Sequence, residues 1–203
     1  MKKNRTFEEA LEANPLRPLV RDRMEILPLA RAAGAKSFES ALQVACANGD
    51  STRQLLRRFK CSELVAVDKN EALIREASRR HAGLAAGFMV MDIPKLEFSD
   101  KRFDVVFNLA ELHNYAGWRE GLAEMARVLK PGGMLLMDEL SIESFTYGAG
   151  PWFMRRTVHP YESMFTAGEL RAALADSGLE PGYFKTRNPL GMLPYLVIAA
   201  QKA

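Results

Sequence analysis

The sequence predicts an α/β domain in which helices cover both faces of a doubly wound, mostly parallel sheet of about seven strands. Short apolar runs alternate with longer amphipathic stretches, which is the pattern of strands joined by crossover helices. The runs are apolar throughout, so both faces of the sheet should be buried, as in parallel sheets. A tight turn separates the last two runs, which predicts a hairpin with an antiparallel last strand and puts one antiparallel strand at the sheet edge.

The individual elements follow from the period of the apolar residues and from start and stop signals. The predicted strands cover residues 41–47, 63–68, 85–92, 103–110, 134–140, 181–188 and 193–203. Helices are predicted at residues 51–59, 70–81, 117–129 and 166–179, where apolar side chains recur at helical spacing. Asn70 caps the second helix, and the segment Lys130-Pro131-Gly132-Gly133 ends the third.

We divide the chain into an N-terminal helical cap over residues 1–37 and a main domain over residues 38–203. Residues 7–33 have the pattern of one or two amphipathic helices interrupted at Pro15 and Pro18. Residues 141–165 are rich in aromatic side chains and have no sustained period. They predict an inserted loop or short helices, acting as a lid or a substrate-recognition segment.

Composition places the chain among ordinary globular proteins and excludes several functional classes. With 48% hydrophobic and 26% charged residues, it is neither disordered nor fibrous. The net charge of +3 is too small to indicate nucleic acid or an anionic membrane as a partner. The two cysteines lie beside apolar residues, and no apolar run is long enough for a membrane span. We therefore expect a soluble cytoplasmic protein.

The segment from residue 41 to residue 68 has the arrangement of a nucleotide site: strand, small-residue loop, helix, and a second strand that ends in an acid. Small residues let the backbone approach a ligand, and the helix N-terminus offers free N–H groups. Asp68 follows Gly49 by about 20 residues, the spacing at which an acid binds ribose hydroxyls. The alternative for Asp68 is a helix N-terminal residue without a ligand.

These segments resemble class I S-adenosylmethionine-dependent methyltransferases. LQVACANGD takes the place of the glycine-rich first motif, VAVD and FMVMDIPKLEF supply the second- and third-strand acids, and ARVLKPGGMLLMDE matches the fifth strand. The resemblance implies a Rossmann-like fold, S-adenosyl-L-methionine as the cofactor, and methyl transfer to a small-molecule acceptor. We do not expect nucleic acid as the acceptor, because NLAELHNY after the fourth strand lacks the Asn/Asp-Pro-Pro-aromatic element of RNA methylation. The oligomeric state stays open, a homo-oligomer included.

The resemblance also assigns residues to the cofactor, in the first-motif loop and after the second, third and fourth strands. These residues are Ala45, Cys46, Ala47, Gly49, Asp68, Lys69, Asp92, Ile93, Asn108 and Leu109. For Asp92, a turn role before Pro94 is the alternative.

The first motif departs from the family pattern at three positions. Gln43 replaces the usual acid, and Ala45 and Ala47 stand where glycines are usual. If the alanines take left-handed backbone angles, each costs roughly 1 to 2 kcal/mol. If the loop has relaxed to right-handed angles, the methionine end of the cofactor would sit differently or not at all. The departures raise a second hypothesis, a non-catalytic binding or scaffold protein with the methyltransferase fold.

His113 follows the fourth strand, where many similar small-molecule methyltransferases carry a histidine near the transferred methyl group. Its ordinary pKa of about 6.5 suits a general base for an acceptor hydroxyl, and the alternative is a loop histidine with backbone partners. The residues expected to contact the substrate are Tyr115, Tyr147, Trp152, Arg155 and His159. The lid residues among them could equally pack on the domain or on another subunit. No histidine and cysteine pair has metal-ligand spacing, so we expect no metal.

Overall fold

The computed structural model describes residues 14, 16–34, 37–189, 191 and 193–203, and within them the chain forms one seven-stranded sheet flanked by helices. The strands are β1 (Ser37–Val44), β2 (Lys60–Asp68), β3 (Ala86–Val90), β4 (Phe103–Leu109), β5 (Leu129–Glu139), β6 (Leu179–Arg187) and β7 (Tyr195–Lys202). Their order in the sheet is β3-β2-β1-β4-β5-β7-β6. The first five strands are parallel, and β7 is antiparallel to both of its neighbours, which confirms the predicted fold class.

The predicted hairpin does put one strand at the sheet edge. This edge strand is β6, which pairs antiparallel with β7, while β7 lies between β5 and β6. The burial of the two strands gives the reason. Leu196 through Ala200 of β7 are buried, whereas most residues of β6 are exposed or half-buried. The more apolar strand of the hairpin therefore takes the interior position.

Helices pack on both faces of the sheet. They are α1 (Arg17–Arg21), a π-helical turn (Asp22–Ile26), α2 (Leu27–Ala32), α3 (Asp50–Arg58), α4 (Glu71–Arg80), α5 (Trp118–Val128), α6 (Gly150–Met154) and α7 (Ala167–Asp176). Side chains of α2, α3 and α4 join one apolar cluster with the sheet, and side chains of α5 and α7 join the other. This is the doubly wound arrangement, in which the carboxyl ends of the parallel strands are free to form a site.

The N-terminal helical segment is part of this core. Ile26, Leu29 and Ala33 are buried in the cluster formed with β1, β2 and β4. Pro18 lies in the first turn of α1, where its missing N–H costs no hydrogen bond, so the helix begins there and is not interrupted. Pro15 and residues 1–13 lie outside the described residues. Among the helices described, none has the length and apolarity needed to cross a membrane.

Candidate functional site

The carboxyl ends of β1, β2, β4 and β5 meet at one edge of the sheet. Val44 of β1 pairs with Asn108 of β4, and Leu109 pairs with Asp138 of β5. Ligands of open parallel sheets bind outside these strand ends. The residues that follow the strands therefore form one site, with β1 and β2 on one side and β5 on the other.

The loop after β1 has three residues with left-handed backbone angles. Ala45 and Ala47 both have φ of 49°, and Gly49 has φ of 80°. A side chain at Gly49 would also lie within 3 Å of the His81 and Phe88 rings, so only glycine fits there. Of the two conformations considered for the alanines, the structure has the left-handed one. The loop thus keeps its glycine-type shape at a cost of roughly 1 to 2 kcal/mol per alanine.

The side chains of Asp68 and Gln43 hold this loop and the helix after it in place through hydrogen bonds. One carboxylate oxygen of Asp68 accepts the Ala47 N–H at 2.9 Å, and the other accepts the Asn70 N–H at 2.8 Å. Gln43 is fully buried and bonds to Ser51 Oγ and Thr52 Oγ1, both at 2.7 Å. The neutral amide that replaces the usual acid therefore holds the first turn of α3.

The residues after β2 and β3 form the outer part of the site. The Asp92 carboxylate accepts the Ile93 N–H, and the Lys69 ammonium lies 4.5 Å from the centre of the Tyr115 ring. Burial, followed by the neighbouring Asp92 carboxylate, raises the pKa of Tyr115 well above its usual value. Tyr115, expected to contact the substrate, thus lies among the residues expected to contact the cofactor.

Cys46 lies in the same loop, and only 1% of it is exposed. Burial raises the pKa of its thiol to about 12, so the group is protonated at neutral pH and contributes packing.

Glu139, at the end of β5, is the organising residue beside β4. It is fully buried and accepts the backbone N–H groups of Glu111 at 3.0 Å and Leu112 at 2.7 Å. It also accepts the side-chain amide of Asn108 and lies 2.8 Å from His113 Nδ1. One carboxylate therefore fixes the turn after β4 and the histidine on it. Asn108 keeps one buried oxygen, Oδ1, that has no hydrogen-bond donor among the described residues.

His113 is 2% exposed, and its ring packs 5.1 Å from the ring of His159. His159 Nδ1 lies 2.7 Å from the amide oxygen of Asn114, which can only accept, so this nitrogen carries the proton. The two histidine rings therefore pack against each other between the lid and Glu139.

A cavity of about 340 Å³ lies beside the ends of β4 and β5. α1 and the π-helical turn, β5, the lid and the β6–β7 hairpin supply its walls. Apolar groups dominate these walls, and the charged residues among them include Glu25, Asp138 and Glu139. His159 lines the cavity, whereas His113 lies behind it, outside the lining.

The other residues expected to contact the substrate lie away from this cavity. Tyr147 is 68% exposed and Trp152 is 40% exposed, with the Arg156 guanidinium stacked on the Trp152 ring. Arg155 is exposed. In the lid, Phe145, Phe153 and Thr157 line the cavity instead. No cluster of three potential metal ligands occurs in the part of the chain that the structure describes.

Sequence reasoning missed Asp138, Glu139 and Glu25. A signal existed for the first two, because adjacent acids at the end of an apolar strand are costly to bury and indicate a function. Glu25 offered no such signal, because an acid in an amphipathic helix is ordinary.

Comparison with known proteins gives a consistent result. Residues 41–133 match a family described as a methyltransferase domain. A phthiotriol/phenolphthiotriol dimycocerosates methyltransferase of Mycobacterium ulcerans is 36% identical over 104 residues, which is 51% of this chain and 38% of that protein. A fatty-acid O-methyltransferase of Mycolicibacterium smegmatis is 37% identical over 98 residues, 48% of this chain and 36% of that protein. The chain thus spans little more than a third of the length of these relatives.

Among solved structures, a SAM-dependent methyltransferase from Aquifex aeolicus superposes with a TM-score of 0.72. The alignment covers 98% of this chain and all of that chain at 16% identity, so the likeness is one of fold.

Proposed function

We propose that this chain, which belongs to the class I S-adenosylmethionine-dependent methyltransferase family, transfers a methyl group from that cofactor to a small-molecule acceptor. The observation that carries the proposal is the left-handed loop after β1 joined to Asp68. Two alanines hold strained angles there, and such strain persists where the site depends on the shape of the backbone.

The described residues fit the cofactor. Asp68 would accept the ribose hydroxyls with its remaining lone pairs, while Asp92 and Ile93 would border the adenine. Lys69 lies next to Asp68 on the same side of the site. The buried Oδ1 of Asn108 lacks a donor, and an ammonium group at the methionine end of the cofactor would supply one. When bound, the cofactor supplies an electrophilic methyl group on a sulfonium.

The acceptor would occupy the cavity beside β4 and β5, on the far side of Ala110 from the β1 loop. Most of the rate would come from positioning the acceptor atom in line with the methyl group. His113 is the proposed base. Glu139 holds its Nδ1, which leaves Nε2 for proton exchange, and the ring of His159, which lines the cavity, packs against the ring of His113. The proposed methyl acceptor is a small molecule.

Calorimetry with S-adenosylhomocysteine tests the cofactor site. We expect Asp68→Ala to weaken binding by about 1.5 to 3 kcal/mol, the scale of a hydrogen bond to a charged group. The control is Asp176→Ala, which removes an exposed acid at the end of α7. Equal affinity in wild type and a folded Asp68→Ala variant would contradict the ribose assignment.

The second candidate is a scaffold protein that retains the fold without catalysis. Gln43 and the two alanines favour it, because they depart from the family pattern at the cofactor. Failure of the wild-type protein to bind S-adenosylhomocysteine would select this alternative.

A further inference from the structure

Asp138 is the most unusual ionisable group of the cavity. It lies next to the end of β5, it is 2% exposed, and it lines the cavity. Its Oδ1 atom has no hydrogen-bond partner among the described residues. A buried carboxylate oxygen without a donor is costly, and it marks a place where a ligand can supply the missing partner.

The other two carboxylates at the cavity are already compensated. Glu25 pairs with Arg17 and with Arg21. Glu139 has the donors of the turn after β4 and lies 2.8 Å from His113 Nδ1. Asp138 is therefore the acid of the cavity whose Oδ1 lacks a hydrogen-bond donor among the described residues, while Arg17 acts on it through its charge.

The other residues that line the cavity determine the chemical character of the main part of the ligand. Val20, Leu140, Phe145, Phe153, Pro189 and Leu193 supply apolar wall. These side chains lie in four segments of the chain, which enclose the space around Asp138. The site is thus an apolar pocket with one unmet carboxylate, which is the usual construction for a molecule with one polar group.

We infer that the cavity binds an apolar molecule bearing a protonated amine, with the ammonium group on Asp138. The inference rests on the proposed function, because it takes the cavity as the acceptor site. The amine orients the acceptor, and it need not be the atom that receives the methyl group.

Burial, followed by repulsion from Glu25 and Glu139, raises the pKa of Asp138 well above its usual value. The charged and titratable groups around Asp138 are Arg17, Arg21 and Glu25 from the N-terminal helices, Glu139 from β5, His159 from the lid, and Tyr195 from β7. An ammonium ligand favours the carboxylate form of Asp138, so binding lowers the pKa of this acid and is linked to proton release. Binding therefore strengthens as the pH rises through the pKa of Asp138, up to the pKa of the amine.

The experiment compares three probes of equal size by calorimetry: 4-phenylbutylamine, 4-phenylbutanol and 4-phenylbutyrate. We expect the amine to bind the wild-type protein at least about tenfold more tightly than the alcohol, and the acid to bind most weakly. Titrations in two buffers of different ionisation enthalpy should show proton release with the amine alone. An alcohol or acid affinity within about threefold of the amine would overturn the inference.

Asp138→Asn keeps the shape of the side chain and removes its charge. We expect it to abolish the preference for the amine while leaving the alcohol affinity within about threefold. Asp176→Asn, which removes a distant exposed acid, is the matched control and should keep the preference. If Asp138→Asn fails to fold, the three-probe comparison and proton release in wild type still decide the question.

S-adenosylhomocysteine is titrated in parallel to separate this inference from the proposed function. Cofactor binding without amine preference would overturn the amine site and leave methyl transfer standing. Amine preference without cofactor binding would keep the amine site and favour the non-catalytic alternative. If neither binds to cooperatively folded protein, both proposals fail.

Discussion

Asp68 and Asp138 both lie at the carboxyl ends of strands, yet their surroundings differ. Asp68 is half-exposed, and backbone N–H groups engage both of its oxygens. Asp138 is buried in an apolar wall, and one of its oxygens has no donor among the described residues. Backbone N–H groups of its own loop already bond to Asp68, whereas Asp138 still lacks a hydrogen-bond donor for Oδ1. The contrast separates the proposed cofactor region, which is preformed, from the proposed acceptor region, in which one carboxylate oxygen lacks a donor among the described residues.

The two regions also differ in how the chain builds them. Residues 45–49 and 68–70 shape the cofactor side through neighbouring backbone atoms. The acceptor cavity draws its walls from segments between residue 17 and residue 195. The proposed cofactor region is thus built from segments that are local in the sequence, whereas the proposed acceptor cavity depends on segments from much of the fold. The matched family region ends at residue 133, before Asp138 and the lid.

Glu139 lies where the proposed cofactor and acceptor regions join, and its carboxylate holds the turn after β4. Removing this carboxylate tests how much it stabilises the fold. We expect Glu139→Ala to lower the free energy of unfolding by about 3 to 5 kcal/mol, because several buried donors would lose their acceptor. Urea denaturation followed by circular dichroism measures this change. Glu97→Ala, at an exposed position, should change it by less than about 0.5 kcal/mol. A loss below about 1 kcal/mol for Glu139→Ala would mean that the turn after β4 holds itself in place.

Replacing His113 tests whether methyl transfer to the acceptor uses a general base. We expect His113→Ala to lower turnover by about 100-fold or more, while the affinity for S-adenosylhomocysteine stays within about threefold. Turnover with labelled cofactor, once an acceptor has been found, measures the first effect, and calorimetry measures the second. A loss under roughly threefold would leave positioning as the main source of rate and assign His113 to the support of His159.

The smallest effect concerns the strained loop of the cofactor side. We expect Ala45→Gly and Ala47→Gly each to raise the free energy of unfolding by about 0.5 to 1 kcal/mol, because glycine accepts positive φ without strain. The control, Ala172→Gly on the exposed face of α7, should lower it by about 1 kcal/mol. Opposite signs in urea denaturation would confirm the strain. The same sign at all three positions would contradict it.

Most of the fold was predictable because each strand is a local apolar run. The carboxyl end of β2 at Asp68 and the start of β4 at Phe103 coincide with the predicted bounds. The prediction does not say which hairpin strand lies inside the sheet, although β7 is the more apolar of the two and its sequence favours the interior. The cavity escaped prediction for a different reason. Asp138 and Glu25 are far apart in sequence, and only the packing of the N-terminal helices on β5 brings them to one wall.

The interior position of β7 has a consequence for the order in which the sheet forms during synthesis. β6 is synthesised before β7. Among the strands described, β6 pairs only with β7, so β6 cannot join the sheet until β7 has been made. Until then β5 presents an open edge with Leu135, Leu136 and Met137 on it, which is a template for aggregation. Asp138 and Glu139 also pair with β7, at Val197 and Leu196. On this edge, the backbone groups of Asp138 and Glu139 therefore stay without their strand partner until β7 pairs with β5.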